Sequence, residues 1–166
     1  MATFNLNSSA IGVDLNTFNA TALFAVGTHV LGSNNTEWVY VQANTSVIGQ
    51  RMVAFNAAYT CGMASGADIL SGQQLGLAQT SCSSQAYFWV AIRGNGLTVA
   101  TTGSCTATAQ GIFLAASATP TGVLSNVASA SGTVAGVSFT DVGNQTATAT
   151  FTTVSLSWPR GAAAGL

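Results

Sequence analysis

The sequence predicts an all-β fold, a small β-barrel or β-sandwich of many short antiparallel strands with an extended N-terminal arm. Three observations predict it. Helical patterning is thin, because lysine is missing, Glu37 is the single glutamate, and no long window keeps apolar positions three and four apart. The strongest runs, Trp38-Val39-Tyr40-Val41 and Tyr87-Phe88-Trp89-Val90, combine aromatic and β-branched residues. Short apolar runs recur at near-regular spacing between Gly, Asn and Ser turn residues, the pattern of a closed or double-layered β-fold.

Taken in order, residues 1–22 hold isolated Phe4, Leu6, Ile11, Val13, Leu15 and Phe18 without a clear period. The segment is therefore either an arm lying on a neighbouring subunit or an ordinary first strand. A β-rich domain is expected over 23–160 and a flexible tail over 161–166. Thr28 to Leu31 reads as a weak strand. From Glu37 to Gln42, Val39 and Val41 share one face and Trp38 and Tyr40 the other, so this strand is covered on both sides. Weak strands follow at Arg51 to Phe55 and Gln74 to Gln79. Tyr87 to Arg93 is apolar on both faces, and Gly94-Asn95-Gly96 before Leu97 to Ala100 predicts a tight hairpin with Arg93 at its mouth. Weak strands are also expected at Ile112 to Ala115, Val123 to Asn126 and Val134 to Phe139. From Thr146 to Trp158 the apolar positions switch from odd (Ala147, Ala149, Phe151) to even (Val154, Leu156, Trp158), which predicts a β-bulge near Thr152-Thr153.

Composition narrows the function. Of 166 residues, 85 are Ala, Gly, Ser or Thr, and the formal charges are Asp14, Glu37, Asp68, Asp141, Arg51, Arg93 and Arg160. Soluble domains carry about a quarter charged residues, against 4% here, and a net charge of −1 offers little mutual repulsion. Such a surface associates. Leu, Ile, Val and Phe number 40 of 166, too many for a disordered chain. Three arginines cannot neutralise the phosphates that nucleic-acid binding uses, so no nucleic-acid partner is expected. The same count excludes a polybasic membrane patch, and no run approaches the roughly 18 apolar residues of a spanning helix, so no membrane partner is expected. Met1 to Asn5 lacks the basic start of a secretory signal, which predicts synthesis in a reducing cytoplasm. Cys61, Cys82 and Cys105 are then small buried side chains rather than a disulfide framework, and five N-x-S/T sequons are by-products of composition.

Catalytic chemistry finds little to work with. His29 is the only histidine, no nucleophile elbow accompanies it, and the four carboxylates form no local pair for glycosidase chemistry. The scattered Cys, His and carboxylates lack metal-ligand spacing, so neither metal nor cofactor is expected. Gly94-Asn95-Gly96 has no lysine to make a phosphate loop. Trp38 and Trp89 read as core or inter-subunit anchors rather than a sugar platform. Each arginine is either a solvated strand-end residue or a specific carboxylate contact within or between subunits.

The succession Gly27-Thr28-His29-Val30-Leu31-Gly32, Glu37-Trp38-Val39-Tyr40-Val41-Gln42-Ala43, Tyr87-Phe88-Trp89-Val90-Ala91-Ile92-Arg93-Gly94 and Leu156-Ser157-Trp158-Pro159-Arg160 resembles the decoration, or cement, proteins of tailed-bacteriophage heads. The resemblance covers most of residues 25–160. It implies a non-enzymatic β-rich module of the virion, commonly a homotrimer. Such a module sits on the outer capsid surface at three-fold or quasi-three-fold positions and stabilises the major capsid protein shell. Phe4, Leu6, Ile11, Arg93, Trp158 and Arg160 are then the expected inter-subunit or capsid contacts. Two other readings fit the composition: a subunit of an open polymer such as a tail tube or fibre, and a carbohydrate-binding adhesive β-domain with an exposed Trp or Tyr.

Overall fold

The computed structural model describes residues 14–101, 114–116, 122–125, 133–139 and 151–162. Within them the chain is all-β. Eleven strands join one hydrogen-bonded sheet: β1 (Phe18–Asn19), β2 (His29–Leu31), β3 (Glu37–Ala43), β4 (Arg51–Phe55), β5 (Thr60–Met63), β6 (Gln74–Ala78), β7 (Tyr87–Ala100), β8 (Leu114–Ala116), β9 (Leu124–Ser125), β10 (Thr133–Phe139) and β11 (Phe151–Ala162). A single helical turn, α1 (Gly66–Leu70), follows β5. Five residues cannot hold a helix by propensity alone. Ser65 caps it by accepting from the Asp68 amide, and the Asp68 carboxylate accepts from the Ser65 amide at 2.8 Å, while Ile69 is fully buried.

The pairings close the sheet on itself twice. β7 pairs β3, β3 pairs β5, β5 pairs β4, β4 pairs β6, and β6 returns to β7. An odd ring cannot alternate direction throughout, so one neighbouring pair must be parallel; here it is β3 with β5, through Gln42↔Thr60 and Ala43↔Cys61. A second ring runs β7, β11, β10, β8 and β9, and closes through a parallel bridge from Leu124 to Thr101, the residue after β7. Both rings share β7. Its fourteen residues pair β3 along one edge and β1, β6 and β11 in succession along the other.

Two apolar clusters fill the space. One takes Val39 and Val41 from β3, Val53 and Phe55 from β4, Cys61 from β5, Ala78 from β6, and Phe88, Val90 and Ile92 from β7, so every strand of the first ring contributes. The opposite faces of the same strands, including Trp38, Tyr40, Met52, Leu75, Leu77 and Trp89, join Leu97, Val99, Leu124, Val134, Val137, Val154 and Leu156 of the second ring in a shared core. The rings of Tyr40 and Trp89 lie 4.8 Å apart, and Phe24 meets Tyr40 edge-on at 5.4 Å. Buried polar groups are satisfied: the Trp38 indole N–H donates to Thr36 Oγ1 at 2.9 Å, and Thr36 Oγ1 donates to the Ser33 carbonyl at 2.7 Å.

The strong strands stand where the pattern put them, and the hairpin does not. Gly94-Asn95-Gly96 lies inside β7, which continues without reversal to Ala100. Gly94 (φ +132°) and Gly96 (φ +74°) bend the strand without turning it, and a Cβ at Gly94 would stand 2.5 Å from Thr36 Cγ2. Leu97 and Val99 thereby extend the buried face of Trp89 and Ala91, which outweighs the local turn preference. Arg93 is accordingly mid-strand, paired with Glu37 and Ser157. The bulge is also displaced from Thr152-Thr153. Val154 pairs Leu97 and Leu156 pairs Gly94, so the extra residue belongs to β7.

The weak strands are found within a residue or two where described; 112–113, 126 and 146–150 lie outside the described residues, as do Cys105 and Asp141. Of the segment 1–22, residues 14–22 are described: Leu15 is fully buried and Phe18–Asn19 pairs β7. Residues 1–13, with Phe4, Leu6 and Ile11, lie outside the described residues. β11 runs through Gly161 and Ala162, the first two residues of the expected tail. No described helix is long and apolar enough to cross a membrane.

Cys61 and Cys82 are free and buried. Burial, with a smaller contribution from the neighbouring Cys82, pushes the Cys61 thiol up from 9.0 to about 12. Burial raises Cys82 to about 11, partly opposed by a backbone hydrogen bond at Val47. Above 9.0 the unfolded chain therefore releases protons that the folded chain keeps, so this contribution to stability is complete below 9.0 and is lost as pH rises toward 11 to 12. Denaturant titrations across that range will show the decline, and the double variant Cys61→Ala/Cys82→Ala will flatten it. Replacing Thr36 by Val leaves the buried Trp38 indole N–H without this acceptor, and thermal unfolding will register a loss of about 1–3 kcal/mol.

Candidate functional site

Across four strands the register places Leu31 opposite Glu37, Glu37 opposite Arg93, and Arg93 opposite Ser157. Side chains paired in this way share one face of the sheet. Leu31 is 66% exposed, and Arg93 and Ser157 are exposed as well. His29, two residues before Leu31, holds its Nδ1 at 3.1 Å from Glu37 Oε1. With a proton on Nδ1 the imidazole donates to the Glu37 carboxylate, which accepts. Among the described residues, His29 meets no hydroxyl or thiol that it could activate as a nucleophile.

Trp158 completes the group. Its ring stacks on His29 with centroids 6.2 Å apart and planes 29° apart. Two strands lie between β2 and β11, which in a flat sheet would hold their backbones about 14 Å apart. Sheet curvature and a protrusion of β11 close that gap. The protrusion is visible in the register: Leu156 pairs Val137 and Arg160 pairs Ala135, so Ser157, Trp158 and Pro159 together oppose Gly136 alone. Trp158 adopts φ +51°, a conformation a bulky side chain rarely takes, and stays 41% exposed. Gly136 permits the bulge, because it has φ +78° and a Cβ there would stand 2.4 Å from the Ser157 carbonyl oxygen.

The expected contact residues divide accordingly. Arg93 and Trp158 come together with His29 and Glu37. Arg160 is exposed but stands beyond the bulge, beside Gln74 and Ala135. Phe4, Leu6 and Ile11 lie outside the described residues. Trp38 and Trp89 are core residues. The sequence pattern does not mark His29, Glu37 or Leu31 as contacts; Leu31 stands out by its exposure on the outermost strand of the row.

Two shallow depressions are also present among the described residues. One, of about 350 Å³, is lined by Leu31 to Thr36 and continues the row from Leu31. The other, of about 370 Å³, lies among Asn44, Thr45, Asn56, Thr60, Gly62 and Asp68. Asn56 and Asp68 are engaged locally: Asn56 Oδ1 accepts from Ala58 and Thr60, and Asp68 caps α1. No group of three or more potential metal ligands occurs among the described residues.

Chemically, the row offers an aromatic face, an aliphatic side chain, one carboxylate and one guanidinium on a stiff sheet, a combination that suits contact with a partner surface. Gly136→Ala will drive the Ser157 carbonyl away and cost about 1–3 kcal/mol in chemical denaturation. Trp158→Gly, which removes the strained φ together with the ring stack, will stay within about 1 kcal/mol of the parent. No family model, curated protein or solved structure matches the chain.

Proposed function

We propose that the chain is a non-enzymatic structural protein of a virion, a decoration protein that binds the outer surface of an icosahedral phage head and stabilises its major capsid protein shell. The observation that carries this reading is the exposed row of Leu31, His29, Arg93 and Trp158, displayed on a doubly closed sheet. Exposed aromatic and guanidinium groups are the side chains on which protein contacts concentrate their energy. The low charge of the whole chain supports it as well, since neutral contacts vary little with salt. A homotrimer at a three-fold or quasi-three-fold position would present three such rows. After the first engages, the others bind as intramolecular contacts, so modest individual affinities hold the site. Preference for the assembled lattice then opposes its disassembly by linkage.

Sedimentation velocity in low and high salt, followed by mixing with undecorated heads, tests the proposal. A discrete trimer indifferent to salt, which binds heads and raises their disruption temperature, is expected. Trp158→Gly will weaken head binding by roughly tenfold or more while remaining folded. Open-ended polymers would transfer the chain to a tube or fibre, and a monomer that ignores heads would overturn the proposal.

A further inference from the structure

The β7 irregularity opposite Ser155 carries chemistry of its own. Leu97 pairs Val154 and Gly94 pairs Leu156, so Asn95 and Gly96 together oppose Ser155. Asn95 is exposed, and its Oδ1 accepts a hydrogen bond from Ser155 Oγ at 2.5 Å. Gly96 has φ +74°, and the position of a Cβ there has nothing within 4 Å. An asparagine side-chain carbonyl polarised by a hydroxyl thus precedes a glycine with open space at its Cβ position, at a point where the ladder register shifts.

We infer that Asn95-Gly96 is a site of spontaneous deamidation in the folded protein, with water as the only co-reactant. After solvent base removes the Gly96 amide proton, its nitrogen attacks Asn95 Cγ. The new C–N bond forms as the carbonyl π electrons move onto Oδ1, where the Ser155 hydroxyl stabilises the developing negative charge. Collapse expels the side-chain nitrogen, which leaves as ammonia after taking up a proton, and a five-membered cyclic imide remains. Water then opens either imide carbonyl, giving an aspartate or an isoaspartate at position 95. No electrons are exchanged with an outside reagent. Either product adds one negative charge to a chain whose formal charge is −1. The isoaspartate also lengthens the backbone by one carbon within the strand common to both rings.

The experiment is peptide mapping by mass spectrometry after incubating the full chain, folded and in denaturant, at neutral and mildly alkaline pH. Conversion at position 95 of the folded chain, faster at the higher pH, is expected. Ser155→Ala will slow it several-fold in the folded chain and leave the rate in denaturant unchanged, which separates assistance by Ser155 from the intrinsic reactivity of Asn-Gly. An intact Asn95 in the folded chain while the denatured chain converts would overturn the inference. Equal folded-state rates with and without Ser155 would overturn the role given to its hydroxyl.

Discussion

The molecule depends on β7 closing two rings at once. Closure gives the ring strands partners on both sides and leaves β1 and β2 with one partner each among the described residues, which shortens the open edges that a chain with seven formal charges could not guard by like-charge repulsion. It also sets a parity condition. Each ring has five members, so each contains one parallel contact, β3 with β5 in the first and Leu124 with Thr101 in the second. The two cores follow from the same strand. Even-numbered Phe88, Val90 and Ile92 face one cluster, and odd-numbered Trp89, Ala91, Leu97 and Val99 face the other.

This dependence explains what could be read in the sequence and what could not. Glu37–Ala43 is legible because both of its faces are apolar, which only a strand between two cores requires. Arg51–Phe55 and Gln74–Ala78 are legible from their turn-bounded apolar runs. Thr60–Met63 is not, because Thr-Cys-Gly-Met shows no alternation; it is a strand because the first ring needs a parallel member between β3 and β4. Asn95-Gly96 is a strong local turn signal that loses to a distant partner, since β11 offers Leu97 and Val99 a buried face that a hairpin tip would forfeit. Local pattern thus identifies strands well and connections poorly.

The contact surface has the same division. Arg93 and Trp158 stand out in the sequence because charge and tryptophan are scarce, and their meeting place is not visible there. It requires the Ser157–Pro159 bulge, which rests on Gly136 of another strand, and the curvature that carries Trp158 over to His29. Glu37 meets the imidazole at Nδ1, and the indole stacks on the same ring. A protrusion of this kind is costly in backbone conformation, and the surrounding pairings on both sides of β11 hold it in place.

The shared strand also orders the folding of the chain. All members of the first ring lie between Glu37 and Ala100, so it is complete as soon as β7 has been made. The second ring waits for β11, whose residues Phe151 to Ser157 must find Ala100 to Arg93 across a long intervening segment. Contacts of such sequence separation form slowly. During synthesis the distal half of β7 is therefore an unpaired edge beside an already closed barrel, and the interval before β11 arrives is when a second nascent chain could take its place.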